Sequence, residues 1–157
     1  MNLEEIYKNI LNERTKNKKN KKDILGEKHD GINPSCGDIV QLQIIKEEKD
    51  GKSVIKDIAY LGEGCAISEA SADIMCDILR GEDLESALSI TELFIQMILE
   101  DEENIKVDEF GFDERYEKLG DAYALKPLRY IPQRIKCVLL AWNTAKSAIK
   151  DMLKEKN

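Results

Sequence analysis

The sequence predicts an α+β fold, a small antiparallel sheet of about three strands with helices packed on one face. Three observations predict it. Apolar residues alternate with polar ones from Val40 onward, a turn signal interrupts that region at Asp50-Gly51, and helical periodicity takes over after Gly64 and persists to the C-terminal end. With 157 residues, of which 42% are hydrophobic, the chain can bury a core without disulfides. No internal repeat or linker divides it, so one domain over residues 1–157 is expected.

Leu3, Ile6, Tyr7, Ile10 and Leu11 recur at helical spacing and predict an amphipathic first helix over residues 1–14, stopping where Asn17 to Lys22 begins. Five lysines lie between Lys16 and Lys22, a solvated loop by this reading, with docking to an acidic partner surface as the other. Val40, Leu42 and Ile44 on one face, with Gln41 and Gln43 on the other, form a half-buried strand. Asp50-Gly51 turns the chain, and Val54 to Leu61 returns with Ile58 and Tyr60 on one side, as in an antiparallel sheet with one wet face.

Beyond Gly62-Glu63-Gly64-Cys65, Ile67, Ala70, Ile74 and Ile78 make a helical stripe stopped by Gly81. Asp83 is the expected N-cap of a short helix carrying Leu84, Ala87 and Leu88. Ser89-Ile90-Thr91-Glu92 has the form of a capping box that opens another helix, with Leu93, Phe94, Met97 and Ile98. Glu100 to Glu103 closes it as a solvated acidic stretch. Residues 104–131, with Gly111, Gly120 and Pro127, read as irregular with one helical turn near Tyr116 to Leu119. Val138, Leu139, Trp142, Ala145, Ile149 and Met152 then predict a long C-terminal amphipathic helix.

Charge and cysteine usage narrow the function. Lys and Arg number 24 against 31 Asp and Glu, a net charge of −7, which argues against a nucleic-acid coat. The single His29 leaves little material for histidine-based metal chemistry and reads as a loop residue. Met1 to Leu11 has no apolar run of a signal peptide, and no stretch approaches the roughly 20 apolar residues of a membrane span. A cytoplasmic chain with no membrane partner is expected, its four cysteines reduced. They serve there as metal ligands, reactive thiols or packing.

Cys36 lies in the turn-rich Asn33-Pro34-Ser35-Cys36-Gly37-Asp38, just before the first expected strand. Gly37 lets a thiolate and a carboxylate bend toward one ion. Cys65 directly precedes a helix, where free N–H groups and the macrodipole favour a thiolate. Cys137 follows Pro132 in about the first turn of the last helix, with Arg134 and Lys136 beside it. Cys76 is mid-helix and reads as packing. Cys36, Asp38, Cys65 and Cys137 would make a four-coordinate site suited to tetrahedral zinc, whose four negative charges would draw in Arg134 or Lys136. Spacing alone leaves this reading open beside one of three unrelated thiols.

At Asn33 to Asp38, at Gly62-Glu63-Gly64-Cys65-Ala66-Ile67-Ser68 with Ala70-Ser71-Ala72, and at Arg134-Ile135-Lys136-Cys137, the chain resembles the U-type iron–sulfur cluster assembly proteins. That family contains IscU, the N-terminal part of NifU, and SufU. Lys136 stands where IscU-type chains carry a His, and residues 104–131 resemble the SufU-type insertion. The resemblance implies an IscU/NifU-like fold and a zinc site made by Cys36, Asp38, Cys65 and Cys137. It implies that Cys36 accepts persulfide sulfur from a SufS-type, pyridoxal-phosphate-dependent cysteine desulfurase, stimulating that enzyme. The charge of the site, by itself, makes Arg134, three residues before Cys137, the expected supporting cation. The sulfur would pass on to a downstream Suf scaffold or to apo iron–sulfur proteins. The alternative it implies is a scaffold that assembles a [2Fe–2S] cluster on the same residues and passes it on.

Overall fold

The computed structural model of the chain describes residues 2–104 and 106–155. Met1 of the expected first helix and Ile105 of the insertion region lie outside the described residues. Helix α1 (Leu3–Lys16) opens on Asn2, whose side chain accepts from the Glu5 N–H, and ends where the lysines begin. Strands β1 (Glu27–Asn33), β2 (Asp38–Lys49) and β3 (Lys52–Glu63) pair antiparallel in the order β1-β2-β3. Helices α2 (Ala66–Leu79), α3 (Leu84–Leu99) and α4 (Pro132–Glu155) follow, with a 3₁₀ segment, Glu114–Tyr130, between the last two.

The sheet follows the expected α+β plan, with one strand the hydrophobic pattern does not show. β1 reads Glu-Lys-His-Asp-Gly-Ile-Asn, too polar for alternation to register, and is a strand because β2 supplies its ladder from Glu27 opposite Ile44 to Asn33 opposite Asp38. His29 is therefore a strand residue opposite Leu42 and not part of a loop. The Asn33 to Asp38 turn likewise joins two strands instead of leading into the first. Across the sheet, Val40, Leu42, Ile44, Ile55, Ile58 and Tyr60 are buried. A bulge at Ile45/Lys46 shifts the register, which lets Ile55 and Ile58, three residues apart, both face the core. Asp50 and Gly51 turn the hairpin with φ of 52° and 80°.

Two helical expectations change. α3 runs without a break from Leu84 to Leu99, so Ser89 to Glu92 is not a cap. Leu84, Ala87, Ile90, Thr91, Phe94, Met97 and Ile98 form one buried stripe, and Thr91 Oγ1 donates back to Ala87 O within the helix. Packing along a continuous face overrides the local capping signal. Residues 114–130 are more regular than expected. Tyr116, Leu119, Ala122, Leu125 and Leu128 are buried at intervals of three, the repeat of a 3₁₀ helix, with a break at Gly120.

The charged segments are also more structured than their composition suggests. Lys18 and Lys21 reach Glu69 at 3.1 and 2.5 Å, and Lys19 reaches Asp77 at 2.9 Å, so the lysine run is tied to α2 and is not merely solvated. Glu100 has a side chain only 7% exposed and pairs with Arg115 at 3.0 Å, while Arg129 donates to the Met97 and Glu100 carbonyls. Arg129 thereby satisfies carbonyls that the end of α3 leaves free.

Three contacts set where α2 and α4 stand. Arg14, 6% exposed, donates to Asp73 and Asp77 of α2 at 2.7 and 2.5 Å. Ser71 donates to Val138 O at 2.7 Å and accepts from Trp142 Nε1 at 2.9 Å, and Trp142 stacks on Phe94 with ring centroids 3.9 Å apart. α4 also lies hard against β1: a Cβ at Gly31 would sit 2.0 Å from Thr144 Oγ1, so only glycine fits. Replacing Ser71 with Ala leaves the buried Trp142 N–H unpaired. The expected cost is about 1–3 kcal/mol, read as a lowered urea midpoint without a change in slope.

Candidate metal centre

Three separate elements bring the expected ligands together. Cys36 sits exposed on the β1–β2 turn, where the Cys36 and Gly37 N–H groups donate to Asn33 O at 3.3 and 2.9 Å. Gly37 has φ of 76°, a left-handed conformation that side chains resist, and it carries the chain from Cys36 to Asp38 within one residue. Asp38 opens β2 and is 4% exposed. Cys65 is the N-cap of α2, its sulfur accepting from the Ser68 N–H at 3.5 Å. Cys137 lies in α4, 3% exposed.

The ligand atoms of Cys36, Asp38 and Cys137 all lie within 4.8 Å of one another. Cys36 Sγ is 3.0 Å from Asp38 Oδ2 and 3.9 Å from Cys137 Sγ. Cys65 is the outlying member, with its Sγ 4.0 Å from Asp38 Oδ2 and its charge acting on Cys137. A tetrahedral ion bound by thiolates at about 2.3 Å places two sulfurs about 3.8 Å apart. The Cys36–Cys137 spacing fits that without rearrangement. Cys76 is fully buried within the core cluster, and burial pushes its thiol well up, as suits a packing residue.

Cys137 departs from its expected electrostatic setting. α4 begins at Pro132, so Cys137 stands in the second turn, beyond the free N–H groups that lower a thiol's pKa. Burial pushes its thiol up, and the neighbouring Cys65 charge and hydrogen bonding with Cys36 add to the rise. Burial also opposes ionisation of Asp38, but hydrogen bonds from Ser68 Oγ, the Cys36 thiol, the Cys65 N–H and the Cys137 thiol outweigh it and hold the carboxyl below its ordinary value. Ser68 donates to Asp38 Oδ2 at 2.5 Å and lies 3.5 Å from Cys65 Sγ. Sequence reasoning did not single out Ser68 as a site residue. Its signal is the spacing of three from a helix N-cap, where a short polar side chain reaches back across the first turn.

The two expected cations stand differently. Arg134 is exposed on α4, and its charge acts on Tyr7 of α1. Lys136 lines an open hollow together with Cys36.

Three thiols and a buried carboxylate, gathered from a strand turn, the start of β2 and two helices, define an α+β domain with a group that could hold a metal ion. The chain belongs to the NifU-like N-terminal domain family, whose pattern matches residues 3–157. It is 33% identical over 153 residues to the zinc-dependent sulfurtransferase SufU of Bacillus subtilis (strain 168), covering 94% of this chain and 92% of that protein. It is 40% identical over 118 residues to the iron–sulfur cluster assembly scaffold protein IscU of Streptococcus pyogenes serotype M1, covering 75% of this chain and 65% of that one. Among solved structures, the SUF-system protein FiSufU from thermophilic Fervidobacterium islandicum AW-1 matches with a TM-score of 0.73 at 31% identity, covering 92% and 97% of the two chains. The IscU/NifU-like fold is therefore the one the chain adopts.

Because Asp38 is more acidic folded than unfolded, the unfolded chain binds more protons between those two values, and stability rises with pH there. Its contribution is complete above the ordinary carboxylate range and is lost as pH falls through the folded value. In metal-free protein, the gap in urea stability between wild type and Asp38→Asn should be widest near neutral pH and shrink toward about pH 3. A gap that does not change with pH would contradict this account.

Proposed function

We propose that the chain is a zinc-dependent sulfurtransferase of iron–sulfur cluster assembly, in which Cys36 accepts persulfide sulfur from a SufS-type cysteine desulfurase. The observation that carries this reading is the asymmetry of the ligand group: Cys36 is exposed on a turn, while Asp38 and Cys137 are 4% and 3% exposed. A thiol that must meet a partner's persulfide has to be reachable and free to move, and Cys36 alone of the buried-edge group is both. The zinc-dependent sulfurtransferase named among the relatives, aligned over 94% of this chain, supports the same reading.

Cys36, Asp38, Cys65 and Cys137 would hold the zinc, with residues 1–157 forming one SufU-like domain and 104–131 its insertion. Zinc, when bound, keeps these sulfurs as thiolates and shields them from oxidation. Cys65 is fixed as the α2 cap and Cys137 by the α4 core, so they retain the site while Cys36 exchanges. Arg134 is proposed as a supporting cation for this anionic group, three residues before Cys137. Exposed Ile32 and Ile39, cross-strand partners at the base of the Cys36 turn, and exposed Ile131 beside Pro132 give the surroundings of Cys36 an apolar surface of the kind that meets a protein. The partner would supply the pyridoxal phosphate, and the sulfur would pass to a downstream Suf scaffold or apo iron–sulfur protein in the cytoplasm. No helix among the described residues is long and apolar enough to cross a membrane.

A [2Fe–2S] scaffold on the same residues is the second reading, favoured by the similarity to an IscU scaffold over 75% of the chain. Anaerobic reconstitution separates the two, since a stable visible chromophore that transfers to an apo-ferredoxin would favour the scaffold.

Adding the zinc-loaded chain to a SufS-type desulfurase with L-cysteine should raise sulfide release, and mass spectrometry should find the added sulfur on Cys36. Cys36→Ala should return release to the rate of the desulfurase alone, whereas Cys76→Ala should stimulate like wild type. Stimulation by Cys36→Ala equal to wild type would remove the acceptor role. For Arg134→Ala, loss of a partly screened charge pair predicts a decrease of about fivefold in metal affinity or in the rate of sulfur acceptance. A competition titration with a chromophoric chelator and a single-turnover transfer assay would read the two quantities, and no change in either would dismiss Arg134.

A further inference from the structure

Beside Cys36 the surface dips into an open hollow of about 560 Å³ lined by Asn33, Ser35, Cys36, Pro132, Gln133 and Lys136. Two groups on its walls are electrostatically unanswered. Asn33 is 6% exposed, and although its Oδ1 accepts from Ser35 Oγ at 2.7 Å, its Nδ2 has no hydrogen-bond partner among the described residues. Buried donors without acceptors are rare and call for a ligand or a water. Lys136 is exposed and forms no ion pair among the described residues. Arg134, by contrast, does not line this hollow.

We propose that the hollow receives the terminal sulfur of a persulfide formed on Cys36, with Lys136 pairing with its charge beside the Asn33 wall. The proposal rests on the reading of Cys36 as sulfur acceptor and assigns what holds the sulfur once it has arrived. In the transfer, the Cys36 thiolate attacks the terminal sulfur of the desulfurase's cysteine persulfide. A new S–S bond forms at Cys36 Sγ, the donor S–S bond breaks, and its electron pair stays with the donor cysteine, which leaves as a thiolate. The transferred sulfur keeps its proton during the exchange and releases it to solvent afterwards, because a persulfide S–H is a stronger acid than a thiol, which leaves the terminal sulfur anionic; no oxidant or reductant is consumed.

Negative charge is spread over three sulfurs as this happens, next to Asp38 and two further thiols. Coulomb repulsion from that group disfavours an electron-rich sulfur at Cys36 unless a cation faces it. Lys136 is the cation on the wall of the space into which an extended Cys36 side chain would project. Its ammonium is a mobile point charge with several donors, suited to following a sulfur that moves between partner and acceptor.

The test uses zinc-loaded full chain as wild type, Lys136→Gln, Lys136→Arg and Asn33→Asp, with Lys150→Gln, an exposed lysine farther along α4, as the control for loss of one positive charge. Each is reacted with the desulfurase and L-cysteine, separated from both, and followed by intact-mass spectrometry for the lifetime of the sulfur on Cys36. Zinc content checks that every variant is folded. Lys136→Gln should shorten the lifetime about fivefold, the size of a partly screened charge pair. Lys136→Arg should restore it, Asn33→Asp should shorten it, and Lys150→Gln should match wild type. Equal lifetimes in wild type and Lys136→Gln, or equal losses in the Gln and Arg variants, overturn the proposal. If wild type acquires no sulfur on Cys36, the acceptor reading itself fails and this inference falls with it; sulfur on Cys36 that is indifferent to Lys136 sinks the inference alone.

Discussion

A buried carboxylate that takes hydrogen bonds from three elements is the constraint on which this molecule turns. Asp38 Oδ1 accepts from the Cys65 N–H at 3.0 Å, and Oδ2 accepts from Ser68 Oγ and from the Cys36 thiol. Those bonds fasten the first residue of β2 to the first turn of α2, answering helix N–H and hydroxyl donors that would otherwise be stranded at a covered helix end. The same atoms put a carboxylate oxygen among three sulfurs. The join between sheet and helix and the metal-binding group are therefore one arrangement, and a change made for either purpose is felt by both.

The rest of the packing holds that arrangement in register. α2 is gripped on one side by Arg14 and Asn20, which bind Asp73, and on the other by Ser71, which bridges to α4 at Val138. Val138 directly follows Cys137, so the Ser71 bridge fixes one sulfur relative to the helix whose cap is another. Both bridges are buried, where hydrogen bonds are strong and their loss is costly. Among the described residues, the Cys36 turn is held mainly by bonds within itself and to Asp38, with no buried bridge to a helix other than through its own sulfur. Rigidity thus grades across the ligand group, from the two helix-borne cysteines to the turn-borne one, and this grading suits an exchange in which one sulfur departs while its neighbours stay.

How far the sequence discloses this depends on whether each signal is local. The β2–β3 hairpin is legible because Val40, Leu42 and Ile44 alternate and Asp50-Gly51 turns the chain, whereas β1 is a strand only through its neighbour's ladder. Ser89 to Glu92 spells a cap that a continuous buried stripe overrules. The 3₁₀ segment has its own signature, buried side chains at intervals of three from Tyr116 to Leu128, which a search for helical or strand periods passes over. That Cys36, Cys65 and Cys137 come together is legible through their motifs and not through their spacing, since they meet only after the helices pack. Asn33 acquires its role from that meeting and no local pattern marks it, whereas the one local mark of Ser68 is its spacing of three from the Cys65 cap. Cys137 shows the same limit in electrostatics: its distance from Pro132 looks short in sequence, yet one extra turn takes it out of the region where a helix end favours a thiolate.

Charge placement explains why a cation belongs among these sulfurs. The chain carries a net −7, and several of its cations are already engaged along α2, with Arg14 on Asp73 and Asp77, Lys18 and Lys21 on Glu69, and Lys19 on Asp77. The leading groups that hold Asp38 ionised among the described residues are a hydroxyl, thiols and an amide. At Cys137 the thiol is driven toward its protonated form first by burial and then by the neighbours that would share a metal with it. A divalent ion reverses that balance, because it attracts all the donors at once and ionises thiols outright. Loading such a group must release protons and so weaken as pH falls. A bound metal would therefore supply positive charge within the group, where Lys136 lines only the adjoining hollow and the cations along α2 are committed elsewhere.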